Sequence, residues 1–348
     1  MPFKSFFPGA VSLFAMSSLL GWASLLLFGH PSHATEPIRW ESDRGEPQWS
    51  SQSQNAGEQL LERGMLQLQN AEAQEAIASF QQALDFFQER SDRAGEGQAF
   101  THLAMAYEFL NDYPQALEYH QEALAISRAL GNREWEVSDL NSLGAVHNIM
   151  GNIDRALDYS QQSLDLARDI GDRRGEGNAL GSLGFASFVL GDLVTAIASF
   201  ESSLAIAEEL EDEQMAQTSR SGLSQAQTAR TRRLEEAQTL LRNGIEQLRG
   251  QQERTAIEDS FPLALRLFQE TGDRVGEGEV LAFLGYAHLE LGDLPQAARF
   301  FERSLAIARE VNDSELEAFA LEGLDRAQGG RQVRSIHRDP IVSTGLDR

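Results

Sequence analysis

The sequence predicts an all-α chain of stacked helix pairs, a helical-repeat solenoid, on three observations. Small residues recur at Gly64, Ala104, Gly144 and Gly184, 40 apart, and alanines at Ala76, Ala116, Ala156 and Ala196 keep the same step. Within each unit the apolar residues follow a 3.6-residue spacing, as at Leu180 and Leu183 and then Ala196, Phe200 and Leu204, so each unit holds two amphipathic helices. Glycine followed by Asp or Asn punctuates the helices. Gly151-Asn152, Gly191-Asp192 and Gly292-Asp293 fall inside units, and Gly131-Asn132, Gly171-Asp172 and Gly272-Asp273 fall between them. Glycine suits the left-handed residue that ends a helix, and Asp or Asn caps the amides that open the next.

Taken in order, the chain opens on Lys4, an uncharged run from Ala10 to Gly29, a break at Pro31 and the small-residue site Ser32-His33-Ala34. This reads as a signal peptide over residues 1–34, cut after Ala34. The run is also long enough to span a bilayer, so an uncleaved anchor is the alternative. Residues 35–57 are polar and aperiodic and read as a flexible linker. Export would place the protein in the periplasm, a thylakoid lumen or the extracellular space, as a secreted chain.

Four units then run to about residue 210, after which the register breaks. LLERGMLQLQ (60–69) matches LLRNGIEQLR (240–249) at an offset of 180, and FQERSDRAGEG matches FQETGDRVGEG at 181, so one residue is inserted between them. Ser221-Gly222-Leu223 matches Glu322-Gly323-Leu324 at an offset of 101, which gives each array a similar capping helix. The expected organisation is a four-unit module with its cap over 58–227, an arginine-rich junction over 228–233 (Arg230, Arg232, Arg233), a two-unit module with its cap over 234–327, and a disordered tail over 328–348.

The stretches LNSLGAVHNIMGNIDRALDYSQQSLDLARDIGDRRGEG and LAFLGYAHLELGDLPQAARFFERSLAIAREVND resemble tetratricopeptide repeats of the 40-residue type, as in adaptors similar to LGN and Pins and in many bacterial repeat proteins. The resemblance covers about residues 58–327. It implies a right-handed α-α superhelix of about six helix pairs with two capping helices, and a concave groove lined by the first helix of each pair. Carried over position by position, the groove residues are Gln98, Thr101, Met105, Glu108 and Phe109, then Ser138, Asn141, Ala145 and Asn148, then Asn178, Phe185 and Phe188, and finally Glu279, Tyr286 and Leu289. Such a wall suits a peptide held by apolar anchors, with amides bonding its backbone. The same aromatic spacing also fits ordinary core packing for Phe185 and Phe188.

Arg93, Arg133, Arg173 and Arg274 each stand three residues before a glutamate (Glu96, Glu136, Glu176, Glu277). One reading is a set of i,i+3 surface pairs of small energy. The other is an arginine ladder that grips acidic side chains of a partner. His147 and His288 occupy a packing position of the repeat and read as core residues instead of metal ligands. The Gly-Glu-Gly triplets at Gly95, Gly175 and Gly276 lack the preceding strand and following Gly-Lys-Ser of a phosphate loop.

The formal net charge of -24 makes this an acidic protein that repels nucleic acid and anionic lipid, so neither nucleic acid nor membrane, beyond the signal segment, is an expected partner. There is no cysteine, which removes thiolate chemistry, and no motif calls for a metal, a cofactor or a small-molecule substrate. The expectation is therefore a non-catalytic protein-protein interaction scaffold or assembly factor of the cell envelope, with a protein or peptide in the groove. The alternative is an accessory or regulatory partner of a separate enzyme, such as a caspase-like (CHAT-type) protease, whose catalytic cysteine this chain lacks. An enzyme built on the many carboxylates is disfavoured, because they fall on helix caps and solvated faces.

Overall fold

The computed structural model describes residues 51–329, and these are helical with no strand among them. Helices α1 (Ser51–Gln69) and α2 (Ala73–Glu89), α3 (Arg93–Phe109) and α4 (Tyr113–Leu130), α5 (Arg133–Ile149) and α6 (Ile153–Ile170), and α7 (Arg173–Leu190) and α8 (Leu193–Glu209) form four successive pairs. They are followed by α9 (Glu213–Arg249), α10 (Glu253–Thr255), a π-helical turn (Ala256–Ser260) and α11 (Phe261–Thr271). The chain then forms α12 (Arg274–Glu290), α13 (Leu294–Val311) and α14 (Ser314–Gln328). The all-α repeat architecture matches the expectation from period and punctuation. The signal segment falls outside the described residues, as does the tail beyond residue 329. Among the described residues no helix is long and apolar enough to cross a membrane.

The caps work as the sequence implies. Asp92, Asn132, Asp172 and Asp273 accept hydrogen bonds from the amides of Gly95 (3.0 Å), Trp135 (3.1 Å), Gly175 (2.8 Å) and Gly276 (3.0 Å). Each bond satisfies an amide that the helix itself leaves unpaired. The Gly-Glu-Gly triplets thus sit at capped helix openings. Their first glycine also admits a neighbour, since a Cβ on Gly95 or Gly276 would lie 2.1 Å from the Phe87 ring or 2.4 Å from that of Phe268.

Two boundaries differ from expectation. The helix expected to begin near residue 58 extends back to Ser51, and Gly57 within it packs close to Phe86 and Phe87. The cap of the first array and the opening helix of the fifth pair are one helix of 37 residues, and Arg230, Arg232 and Arg233 lie within it. The segment Gln225–Leu234 contains no glycine or proline to end the helix.

The described chain divides into two units, one reaching Leu190 and taking in Thr195–Ser224, the other made of Gly191–Val194 and the chain from Gln225. In the first unit the core begins with Leu61, Leu68, Ala76, Phe80, Phe87 and Leu103, all buried. It ends with Leu164, Leu180, Ile206 and Met215. In the second unit Leu241, Ile245, Phe261, Phe268, Phe283 and Leu284 make the main cluster. Arg230 donates to the Thr271 carbonyl (2.8 Å), and Arg233 donates to the Gly191 carbonyl (3.0 Å) and to Glu270 (2.9 Å). These two guanidinium groups fasten α9 to its neighbours in the second unit.

Candidate functional site

In the first unit, α3, α5 and α7 are the first helices of successive pairs, and α5 is tied to α7 by side-chain amides. Asn141 Nδ2 donates to the Gly175 carbonyl and Asn148 Nδ2 to that of Ser182, both at 3.1 Å. Of the expected groove residues here, Gln98, Ser138 and Phe109 are exposed, and Met105, Ala145, Asn178, Phe185 and Phe188 are half-buried. Thr101 is half-buried and donates to the Gly97 carbonyl (3.1 Å), the ordinary back-bond of a helical threonine.

Two groove assignments are corrected. Glu108 is buried, its Oε1 lying 2.7 Å from His120 Nε2, so it faces the interior of its own pair. Asn148 is buried and committed to Ser182, so its amide nitrogen is not offered to a partner. The sequence held a signal for both. Position 120 stands in line with Phe80, Ser160 and Phe200, and position 108 with Leu68, Asn148 and Phe188, which are core rows. Sequence reasoning also missed Asp139, buried beside Ser127, whose hydroxyl donates to it at 2.8 Å. Burial pushes the Asp139 carboxyl up to about 6.

In the second unit, Glu279, Tyr286 and Leu289 are half-buried along α12. Tyr286 and Leu289 pack on the cluster of Ala297, Phe301 and Ala327. Burial, with Asp273 and Asp313 nearby, pushes Glu279 up to about 7.

The arginines are engaged with this chain's own carboxylates. Arg93 pairs with Glu96, Arg173 with Glu176 and Glu209, and Arg274 with Glu277 and Glu310. Arg133 pairs with Asp169 (2.6 Å) in place of Glu136, which instead accepts from Arg128 (2.8 Å). The hydrogen bonds from Arg173 and Arg274 hold Glu209 and Glu310 below the usual carboxylate range. The i,i+3 pairing thus holds at Arg93, Arg173 and Arg274, and ion pairs from Arg133, Arg173 and Arg274 join the start of a first helix to the end of its second. His147 is buried and stacks on Tyr159 (5.4 Å, 7°), and His288 stacks on Phe300 (5.3 Å), as packing residues do. Burial, with Arg155 nearby, lowers the His147 pKa.

The decisive feature is the repeated unit itself, and family models described as tetratricopeptide repeat match residues 58–129, 135–209 and 280–315. The chain belongs to the tetratricopeptide-repeat family. No curated protein is matched by the sequence. Among solved structures, BtubC (BKLC) from P. vanneervenii is similar at 17% identity, covering 86% of this chain and 91% of that one with a TM-score of 0.43. A STAND protein with a tetratricopeptide repeat sensor from Pyrococcus horikoshii is 17% identical over 79% of this chain and 39% of its own, with a TM-score of 0.44. A putative kinesin light chain from Podospora anserina with nearly identical TPR-like repeats is 15% identical over 76% of this chain and 100% of that one, with a TM-score of 0.40.

In the second, third and fourth pairs of this tetratricopeptide-repeat chain, charge is distributed unevenly between first and second helices. Past its first turn, none of α3, α5 and α7 bears an accessible Asp, Glu, Arg or Lys; Glu108 and Asp139 are buried. Exposed charge gathers instead on the second helices, as at Glu118, Glu122 and Arg128 on α4, Asp154, Arg155 and Asp165 on α6, and Glu201 and Glu208 on α8.

Proposed function

We propose that this protein is a non-catalytic scaffold or assembly factor of the cell envelope that holds a protein or peptide against α3, α5 and α7. The observation that carries the reading is the uncharged surface of those helices in a chain of net charge -24. A solvated face in so acidic a protein has no reason to exclude charge. A face that is covered does, because each charge buried without a partner is costly and interface cores are depleted of charged residues. Met105, Phe109 and Phe185 supply apolar anchors, and Gln98 and Asn178 supply amides that can bond a partner's backbone. The family's general habit of binding proteins agrees with this. The envelope assignment rests on the signal-like residues 1–34.

Affinity purification of the full chain from the envelope fraction tests the proposal, with Met105→Ala/Phe185→Ala as the paired control. A partner held by the wild type and lost by the folded double variant is the expected result. Equal recovery by both would remove the face from consideration. Recovery of a protease as that partner would assign the accessory role instead of the assembly role. The intact mass of the exported protein decides between cleavage after Ala34 and a retained anchor.

A further inference from the structure

Along the second helices, one core position faces the first helix of its own pair. It holds Phe80, Phe200, Phe261 and Phe301, all buried, and the facing position on the first helix holds Leu68, Phe188, Leu248 and Leu289. In the third pair both positions are polar and uncharged, Ser160 and Asn148, and in the second pair both are ionisable, His120 and Glu108. The two replacements are complementary. His120 Nε2 and Glu108 Oε1 are 2.7 Å apart, with side chains 1% and 0% exposed. Each group keeps one buried atom without a partner, His120 Nδ1 and Glu108 Oε2, so among the described residues the contact between them is the one hydrogen bond that either ionisable group makes.

We infer that Glu108 and His120 form a proton-dependent latch between α3 and α4, closed while the pair shares a proton that balances the carboxylate and loosened when that proton leaves. The neighbouring groups set its direction. From α5, Asp139 acts on His120, and Glu136 acts on Asp139 in turn. Ser127 of α4 donates to Asp139, and Thr101 of α3 stands beside it. At the start of α4, the Tyr113 phenol lies within the field of Glu108. On the far side of α3, α2 buries Ala73, Ala76, Ser79, Phe80, Ala83 and Phe87, which bring no charge.

With the imidazole protonated, Glu108 and His120 cancel, and Asp139 is the one remaining buried charge. Asp139 takes up its own proton at about 6, so mild acid leaves the cluster neutral. Loss of the imidazolium proton leaves two buried carboxylates and no cation, in an interior where unpaired charge is expensive. The second and third repeats should therefore be tightest near pH 6 and open more readily toward pH 8.

Hydrogen exchange of the full chain at pH 6 and pH 8, corrected for the intrinsic chemical rate, tests this. Amides of α3 to α5 should lose about tenfold or more of their protection at pH 8, while those of α13 and α14 stay level. Glu108→Leu/His120→Phe installs the apolar pair found in the first, fifth and sixth pairs and should remove most of that difference, with Asp139→Asn added to remove the remainder. Glu108→Gln/His120→Gln keeps a hydrogen-bonding pair that cannot titrate, and should flatten most of the response even if the apolar double variant folds poorly. A wild-type response that is absent, or that persists unchanged in the triple variant and in Glu108→Gln/His120→Gln, overturns the latch.

Discussion

The side-chain amide of Asn148 donates to the main-chain carbonyl of Ser182 at 3.1 Å, tying α5 to α7 across a repeat boundary. Asn141, two turns earlier, makes the same bond to Gly175. Because Asn148 is buried, truncation deletes a bond and leaves a gap without restoring water. Asn148→Ala should cost about 1–2 kcal/mol in denaturant unfolding, and more than Asn141→Ala, whose half-buried site water can reach. Equal costs would mean that burial does not set the energy of this tie.

Gly64 and Gly131 should fail for different reasons. A Cβ at position 64 would lie 2.3 Å from the buried Phe80 ring, whereas position 131 is open but holds φ at 65°. Both alanine variants should lose stability, by about 1–3 kcal/mol for crowding at 64 and about 1 kcal/mol for strain at 131. Adding Phe80→Leu should recover part of the Gly64→Ala loss and none of the Gly131→Ala loss. A double-mutant cycle reads the difference.

Asp139 should make stability fall as pH rises. Its carboxyl is lifted by burial from the ordinary 3.8 to about 6, so between those values the folded state holds more proton than the unfolded state does. The benefit is complete below 3.8 and is lost as pH climbs through 6, a change on the order of 2 kcal/mol. Asp139→Asn, which can still accept from Ser127, should be more stable than wild type at pH 7 and indistinguishable from it at pH 4. Thermal unfolding across that range checks the sign.

The π-helical turn at Ala256–Ser260 lies in the interval where the internal match steps from an offset of 180 to 181. A single inserted residue is what widens an α-turn into a π-turn. Deleting the exposed Glu258 should restore the register with a change in unfolding free energy of less than about 1 kcal/mol. Deleting Phe283 from α12 should abolish cooperative unfolding, since it shifts every later core residue of that helix by about 100°. If the Glu258 deletion is as damaging as that of Phe283, the turn is not an absorbed insertion.

How much of this was legible in the sequence depended on period. Glycine-capped turns, helix pairing, the inserted residue and the packing histidines all repeat or break a repeat, so comparing units exposed them. The groove was read less well, because the repeat fixes which turn of a helix a residue occupies but not how far its face is covered. Glu108 and Asn148 lie one position from exposed or half-buried neighbours, and their burial depends on His120 and Ser182, contacts with other helices that spacing alone does not specify. The partners of the arginines on the second helices were hidden for the same reason. Asp169, Glu209 and Glu310 stand 36 residues away, at the far end of the pair.

One consequence follows from the contacts at the turns between pairs. Arg128 reaches Glu136, Arg168 reaches Glu176 and Arg309 reaches Glu317, each at 2.8 Å, and Gln269 reaches Glu277 at 2.9 Å in the same way. The donor half of this seam lies at the end of a second helix and the acceptor half at the start of the next first helix. A segment copied whole in the gene therefore arrives with an acceptor facing back and a donor facing forward, already compatible with its parent on either side. Such a chain can lengthen by duplication without inventing a new joint, which leaves selection free to act on the faces between the joints.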